Sequence, residues 1–182
     1  LPYKQKIISL VDKVINDARH TNSVNTIYLD ETNNIVGENT DVFGIQAAYL
    51  KELNDAENKK ALVIGAGGVS PSVIFSLEKS KIKNISIINR TYDKSLFLKK
   101  KFSYLNVLKW NLLKEKIKEF DVIINATSLG LKNKNDFEFN FEGVKSNAIY
   151  IDTIYNPLAT KSVKYLKGQN IKTFNGLDML IY

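Results

Sequence analysis

The sequence predicts an α/β fold: a doubly wound parallel sheet, preceded by a partial second α/β domain. Three observations carry this. From residue 61 onward, short apolar runs such as "ALVI", "NISIIN" and "DVIINA" alternate with helical patterns. Strand–helix alternation of this kind builds a parallel sheet with right-handed crossovers. A glycine turn, "GAGGVS", joins the first apolar run to a helix-forming segment. Ahead of the polar connector "NDAENKK" the pattern differs, with two short strands about a turn and helical segments on either side.

A chain of 182 residues suits one large domain, or one domain with part of another. Its 44% hydrophobic and 25% charged residues are enough for a globular core. The absence of cysteine excludes disulfides and thiolate metal sites, and a single histidine, His20, excludes a multi-histidine metal centre. No uncharged apolar run is long enough to cross a bilayer. The opening "LPYKQKIISLVDKVIND" spreads charge through its apolar part, unlike a signal peptide. The net charge of +7 reads as a lysine-rich solvated surface. Its lysines are dispersed, with "LKKKF" the densest cluster, and aromatic residues do not alternate with them as an RNA platform requires.

Taken in order, residues 4–18 carry Ile7, Ile8, Val11, Val14 and Ile15 at helical spacing. "VNTIYL" and "NIVG" read as strands around the turn "DETNN". Asp41 to about Leu53 reads as a helix with Val42, Ile45, Ala48 and Tyr49 inward and Thr40 or Asp41 as its cap. After the connector come the strand "ALVI", the glycine turn and its helix, the strand "NISIIN", a helix within "RTYDKSLFLKKKF", the strand "YLNVL" and the helix "NLLKEKIKEF". "DVIINA" and "AIYIDTIY" are further strands, "TKSVKYLKG" a helix ending at Gly168, and "IKTFN" a last strand. "LKNKNDFEFNFEG" is a polar and aromatic loop.

The chemistry begins at Gly65-Ala66-Gly67-Gly68-Val69-Ser70. Glycines also close plain structural turns, but a strand before and a helix after are the context that a dinucleotide fingerprint needs, so the fold is read as Rossmann-like. Gly65 permits the tight turn, and Gly67 lets the backbone approach a pyrophosphate seated on the helix N-terminus. The ribose ligand is expected about 20 residues on. In place of the Asp or Glu that serves NAD, the chain has Asn89 and Arg90, with Lys94 four residues further. A guanidinium pairs with a 2′-phosphate that a carboxylate repels, which favours NADP over an ordinary surface arginine. "DVIINATSLGL" ends a buried strand in small hydroxyl residues and a glycine, as at the ligand-facing end of a parallel strand or at a plain turn. His20 lies in the polar "DARHTNS" and reads as a solvated loop histidine. Lys4 with Asp41 is a usable proton-handling pair, though spacing alone does not single it out.

Several stretches together resemble the shikimate dehydrogenase family. "LPYK" resembles the end of that family's Asn-Val-Thr-x-Pro-x-Lys motif, and "SVNTI" its Ala-Val-Asn-Thr. "GENTDVFG" matches Gly-x-Asn-Thr-Asp-x-x-Gly, and "VIGAGGVS", "INRT", "INATSLGL", "IDTIYNPLATK" and "NGLDML" follow in the family's order, from Pro2 to Leu180. The resemblance implies reversible oxidation of shikimate to 3-dehydroshikimate with NADP, in the pathway to chorismate and aromatic amino acids. It implies Lys4 and Asp41 as the catalytic dyad, with Asn25 and Tyr155 on the substrate. Gly65, Ala66, Gly67, Gly68 and Val69 would hold the pyrophosphate. Asn89, Arg90, Thr91 and Lys94 would hold the 2′-phosphate. Thr127 and Ser128 would line the cofactor path, with Thr153, Gly176 and Met179 near the nicotinamide.

The implied division is a partial substrate-binding domain over 1–40, a connecting helix and linker over 41–58, an NADP-binding domain over 59–175 and the start of a returning helix over 176–182. A cytoplasmic enzyme is expected, a homodimer being open, with no metal, nucleic-acid or membrane partner. The family's Ser-x-Ser segment for the substrate carboxylate lies upstream of where Leu1 falls, and its substrate glutamine downstream of Tyr182. A fragment that binds NADP and barely oxidises shikimate is therefore expected. Two other readings stand: a quinate/shikimate oxidoreductase using NAD(P), against which "NRTYDK" argues although Asp93 is acidic, and a non-catalytic nucleotide-binding module.

Overall fold

The computed structural model describes residues 3–51 and 53–182. The first part of the chain forms a small sheet. Strand β1 (Lys13–Val14) pairs in parallel with β3 (Ile35–Glu38), and β2 (Thr26–Leu29) pairs antiparallel with β3 at the other edge. The turn between β2 and β3 is built by Asp30, whose Oδ1 accepts from the backbone N–H of Thr32 and Asn34. Asn33 takes the left-handed conformation that asparagine tolerates.

The helix expected over residues 4–18 does not form. A 3-10 turn (Lys6–Leu10), strand β1 and the short helix α1 (Asp17–Thr21) replace it. The apolar spacing is real, but Val11 and Val14 are β-branched and Asn16 has φ 50°, which a continuous helix excludes. Backbone bonds from Asp12 N to Ile35 O and from Ile15 N to Gly37 O tie the segment to β3 instead.

Helix α2 (Asp41–Ile45) runs on into a π-helical turn (Gln46–Leu50) and stops there, short of Leu53. Neither Thr40 nor Asp41 caps it by its side chain. The cap is Asn39, whose Oδ1 accepts from Val42 N at 3.4 Å. Asn39 is buried, and its amide reaches Thr21 Oγ1, Ser23 O and Ser72 Oγ, so one side chain joins the small sheet's connections to the larger unit.

The larger sheet has six parallel strands: β4 (Lys60–Ile64), β5 (Asn84–Asn89), β6 (Asn106–Lys109), β7 (Val122–Asn125), β8 (Ile149–Asp152) and β9 (Lys172–Phe174). Their spatial order is β6-β5-β4-β7-β8-β9, the doubly wound order of dinucleotide-binding sheets. Helices α3 (Ser70–Lys79), α4 (Tyr92–Lys101), α5 (Leu113–Lys116, with a 3-10 turn on either side) and α6 (Lys161–Gly168) provide four of the five crossovers, and a loop provides the one from β7 to β8. Strands buried on both faces read as unbroken apolar runs, and Ala61 to Ile64, Ile87 and Ile88, and Val122 to Ile124 are all fully buried. One face packs α3 and the 41–50 helix against Val63, Ile85, Ile87 and Ile124. The other packs α5 and α6 against Leu62, Ile64, Ile88, Ile123 and Tyr150. The loop 131–143 has no regular structure, yet Phe137, Phe139 and Phe141 stack edge-on and seal that second core against Tyr150. The short helix α7 (Asp178–Ile181) returns against α2, with Gly44 at Met179 O, where a Cβ would come within 2.3 Å.

Candidate active site

The strand order itself places the site. The chain leaves β4 for β5 on one side and, after β6, crosses back to β7 on the other, and a crevice opens at the carboxyl ends of β4 and β7 where the order reverses. Gly65 follows β4 there with φ 112°, and a Cβ on it would stand 2.9 Å from the Ala126 backbone. Only glycine fits. Gly67 is bare for another reason: its nearest neighbour would be Ala126 O at 3.7 Å, so the missing side chain leaves space open beside the turn.

The turn holds itself. Gly67 N donates to Ser70 Oγ at 2.9 Å, and Ser70 Oγ donates to Gly65 O. Ala66 N donates to Asn89 Oδ1 at 3.1 Å, while Asn89 Nδ2 donates to Thr91 O. Asn89 therefore fastens the glycine turn to the end of β5. Among the described residues nothing accepts from the N–H of Gly68 or Val69, at the start of ten-residue α3. Those two amides are the ones free to meet a phosphate. Arg90, Thr91 and Lys94 are exposed at the same end of the sheet. Beside them lies a groove of about 410 Å³, floored by Ala66, Gly67 and Gly68, walled by Asp93, Lys94 and Phe97, and closed on the far side by Lys4 and Gln5.

Lys4 reaches that groove because Val24 N donates to its carbonyl, pinning it beside the strand that leads into β2. Its Nζ donates to Asp41 Oδ2 at 2.5 Å. Asp41 is nearly buried, and its other oxygen accepts from Asn25 Nδ2 at 2.8 Å. Asn25 is itself oriented by Thr40, whose N–H it accepts. An ammonium, a carboxylate and an amide thus form one chain at the mouth of the groove, from residues 37 and 16 positions apart in sequence. Pro2, which precedes Lys4 in the "LPYK" stretch, lies outside the described residues.

Across the crevice, Thr127 is engaged internally: its hydroxyl donates to Asn125 Oδ1 and accepts from Leu129 N. Ser128 is exposed. Thr153 is half-buried and donates to Asn125 O, while Tyr155 projects with 48% of its surface exposed. Gly176 and Met179 are buried packing groups. A Cβ on Gly176 would stand 2.2 Å from Thr153 O, and Met179 belongs to the core under α2. Tyr49 fixes this turn, donating to Asn175 O at 2.6 Å and accepting from Met179 N. Burial raises its phenol well above the ordinary range. His20 is exposed but helical, stacked at 4.9 Å on Phe75 of α3.

Sequence reasoning missed Asn39, Gln5, Phe97 and, chiefly, Asn125 and Asp152. Both of the last two end apolar strand runs, "VIIN" and "IYID", and both are fully buried. A polar residue closing an apolar strand was the available signal. Asp152 accepts from Asn125, Ile154 N and Thr160, yet burial outweighs these bonds and pushes its carboxyl up to about 6.

A six-stranded parallel sheet in this order, with a glycine turn at its switch point, defines a dinucleotide-binding α/β protein of the Rossmann type. The chain belongs to the shikimate/quinate dehydrogenase family: the family model described as shikimate / quinate 5-dehydrogenase matches residues 47–174. Shikimate dehydrogenase (NADP(+)) of Pelagibacter ubique is 41% identical over 182 residues, all of this chain and 67% of that protein. The crystal structure of shikimate dehydrogenase from Aquifex aeolicus superposes with a TM-score of 0.89 at 35% identity, over 100% of this chain and 66% of that one. The Thermus thermophilus shikimate 5-dehydrogenase, solved with NADP(H) and shikimate, gives 0.84 at 30% identity, over 99% and 66%. The chain spans about two thirds of the length of these relatives. Among the described residues no helix is long and apolar enough to cross a membrane.

Proposed function

We propose that the protein is an NADP-dependent shikimate dehydrogenase, interconverting shikimate and 3-dehydroshikimate. The observation that carries this is the Lys4–Asp41–Asn25 chain at the mouth of the groove beside the glycine turn. Family membership supplies the substrate class, through relatives that bear the shikimate dehydrogenase (NADP(+)) name.

The residues fit the cofactor. The open space at Gly67 and the two unengaged amides suit a pyrophosphate, and exposed Arg90 with Lys94 suits a 2′-phosphate. NADP, when bound, accepts or supplies the hydride at the substrate's ring carbon. The protein's own task is the proton. As the secondary alcohol becomes a ketone, its hydroxyl proton passes to Lys4 in its neutral amine form, which becomes the ammonium, and in the reverse direction that ammonium returns it. Asp41 holds the ammonium in place, and Asn25 fixes the carboxylate and offers its amide to a substrate hydroxyl. Tyr155, exposed across the crevice, reaches the substrate from the other wall. Gly176 and Met179 act beneath the site, setting the floor on the nicotinamide side. Residues 1–40 serve as the substrate side and 59–175 as the cofactor side, joined by the helix and linker of 41–58. A cytoplasmic placement suits a chain without cysteine.

The test is a shikimate-dependent rise in NADPH absorbance from a full-length version of the protein, with quinate and NAD run in parallel; the 182-residue chain by itself should bind NADP and turn over little. Equal rates with quinate, or a preference for NAD, would overturn the assignment.

A further inference from the structure

The carboxylate of Asp152 has no part in the proton path, yet it is the most completely enclosed acid near the site. It is 0% exposed, and no lysine or arginine pairs with it among the described residues. Burying such a group is unfavourable unless its oxygens are well met. They are met from three directions. Oδ1 accepts from Asn125 Nδ2 at 3.0 Å and from Ile154 N at 3.1 Å; Oδ2 accepts from Thr160 Oγ1 at 2.8 Å. Each partner organises a different piece of chain. Asn125 shapes the turn after β7, accepting from Thr127 N and Oγ1 and donating to Leu129 O. Ile154 N lies in the segment that carries Thr153 and Tyr155. Thr160 caps α6 by accepting from Val163 N.

We infer that Asp152 is a positioning residue. It locks the turn 125–129 and the loop 153–160 into one fixed relation, and these are the walls between which the nicotinamide end of the dinucleotide and the substrate must meet. The inference rests on the dehydrogenase reading above. An apolar residue would fill the same space without the desolvation cost, but it could not address two loops and a helix start at once. The carboxylate acts through Asn125, Thr153 and Tyr155 and touches no reacting atom.

The experiment compares a full-length version of the wild-type protein with its Asp152→Ala, Asp152→Asn and Thr160→Val variants by NADPH fluorescence titration, steady-state shikimate oxidation and thermal unfolding. Asp152→Ala should weaken NADPH binding and lower kcat by about tenfold each. Asp152→Asn should recover most of both, since its amide oxygen still accepts from Asn125 and Ile154 and its nitrogen can donate to Thr160. Thr160→Val, which removes one partner and leaves the fold's packing, should fall between. A merely structural role would lower the unfolding temperature and leave Kd and kcat per folded molecule at wild-type values, which would overturn the inference. If Asp152→Ala fails to fold, wild-type Kd and kcat in Thr160→Val would overturn it alone. A wild-type protein that binds NADPH but ignores shikimate would sink the substrate reading, while the NADPH series would still decide the clamp. A wild-type protein that does not bind NADPH would sink both.

Discussion

Three side chains separate binding from chemistry. Arg90 is exposed and carries no ion pair among the described residues, so its charge is available to a ligand. Arg90→Ala should cost NADP about 1.5–3 kcal/mol of binding and NAD far less. Titration of both cofactors against both proteins checks it, and equal losses would remove Arg90 from phosphate recognition. Lys4 lies on the other side of the groove. In a full-length version of the protein, Lys4→Ala should lower turnover by about two orders of magnitude while cofactor affinity stays near wild type; steady-state rates with a parallel NADPH titration decide this. Asp152 gives a pH signature. Its carboxyl sits at about 6 when folded, against 3.8 as a free side chain. Between those values the native state binds the extra proton, so this group's contribution to stability falls as pH rises from about 4 to about 6, by about 3 kcal/mol in all. Above that window the contribution is flat. The stability difference between wild type and Asp152→Asn should therefore change across pH 4 to 6 and not from 7 to 8. A difference independent of pH would mean the native carboxyl titrates normally.

At the scale of elements, what the sequence made legible tracks how local the cause was. The four central parallel strands announce themselves because strands covered on both faces leave unbroken apolar runs, and the glycine turn because its flanks are a strand and a helix. The stretch 4–18 misled because Ile7, Val11 and Val14 satisfy a helical period by coincidence. What decided it was pairing with β3, over twenty residues away, and a positive φ at Asn16. The cap of α2 lay one residue earlier than the sequence placed it, since Asn39 is held by Thr21 and Ser72, which no local pattern reveals. Glycines make the same contrast testable. In α2, a Cβ on Gly44 would press within 2.3 Å of the Met179 backbone, whereas one on Gly168, at the end of α6, would meet nothing within 4 Å. Gly44→Ala should destabilise by about 1–3 kcal/mol through forced separation of α2 and α7. Gly168→Ala should be neutral or stabilise by up to about 1 kcal/mol. Denaturant midpoints for the two variants read this directly, and similar midpoints would mean the α2–α7 contact yields without cost.

Over the whole molecule the two sheets differ in how they are finished, and that difference predicts behaviour. The larger sheet buries the interiors of its four central strands, β5, β4, β7 and β8, while its edge strands β6 and β9 are partly exposed. In the smaller one, β2 is an edge strand, and Ile27, Tyr28 and Leu29 are 46%, 42% and 63% exposed. Alternate residues of a strand point to opposite faces, so both faces of β2 meet solvent, and among the described residues no strand pairs with its outer edge. Exposed Ile35 of β3, paired with Leu29, adds to the same apolar region. The site depends on this sheet, since Asn25 stands immediately before β2 and Asp41 follows β3 by three residues. An unpaired apolar edge joins copies of a chain by strand addition or by burial of its side chains, and a charge on such an edge opposes both. The 182-residue chain should therefore associate as its concentration rises, and the double substitution Ile27→Lys, Leu29→Lys should keep it monomeric. Both side chains are exposed and neither lines the groove, so cofactor affinity should not change. Sedimentation velocity across a concentration series, with NADPH titration of both proteins, measures the two halves of the expectation. A wild-type chain that stays monomeric at high concentration would show that the twist and shortness of β2 already protect the edge. Association undiminished by the two lysines would place the contact on another surface.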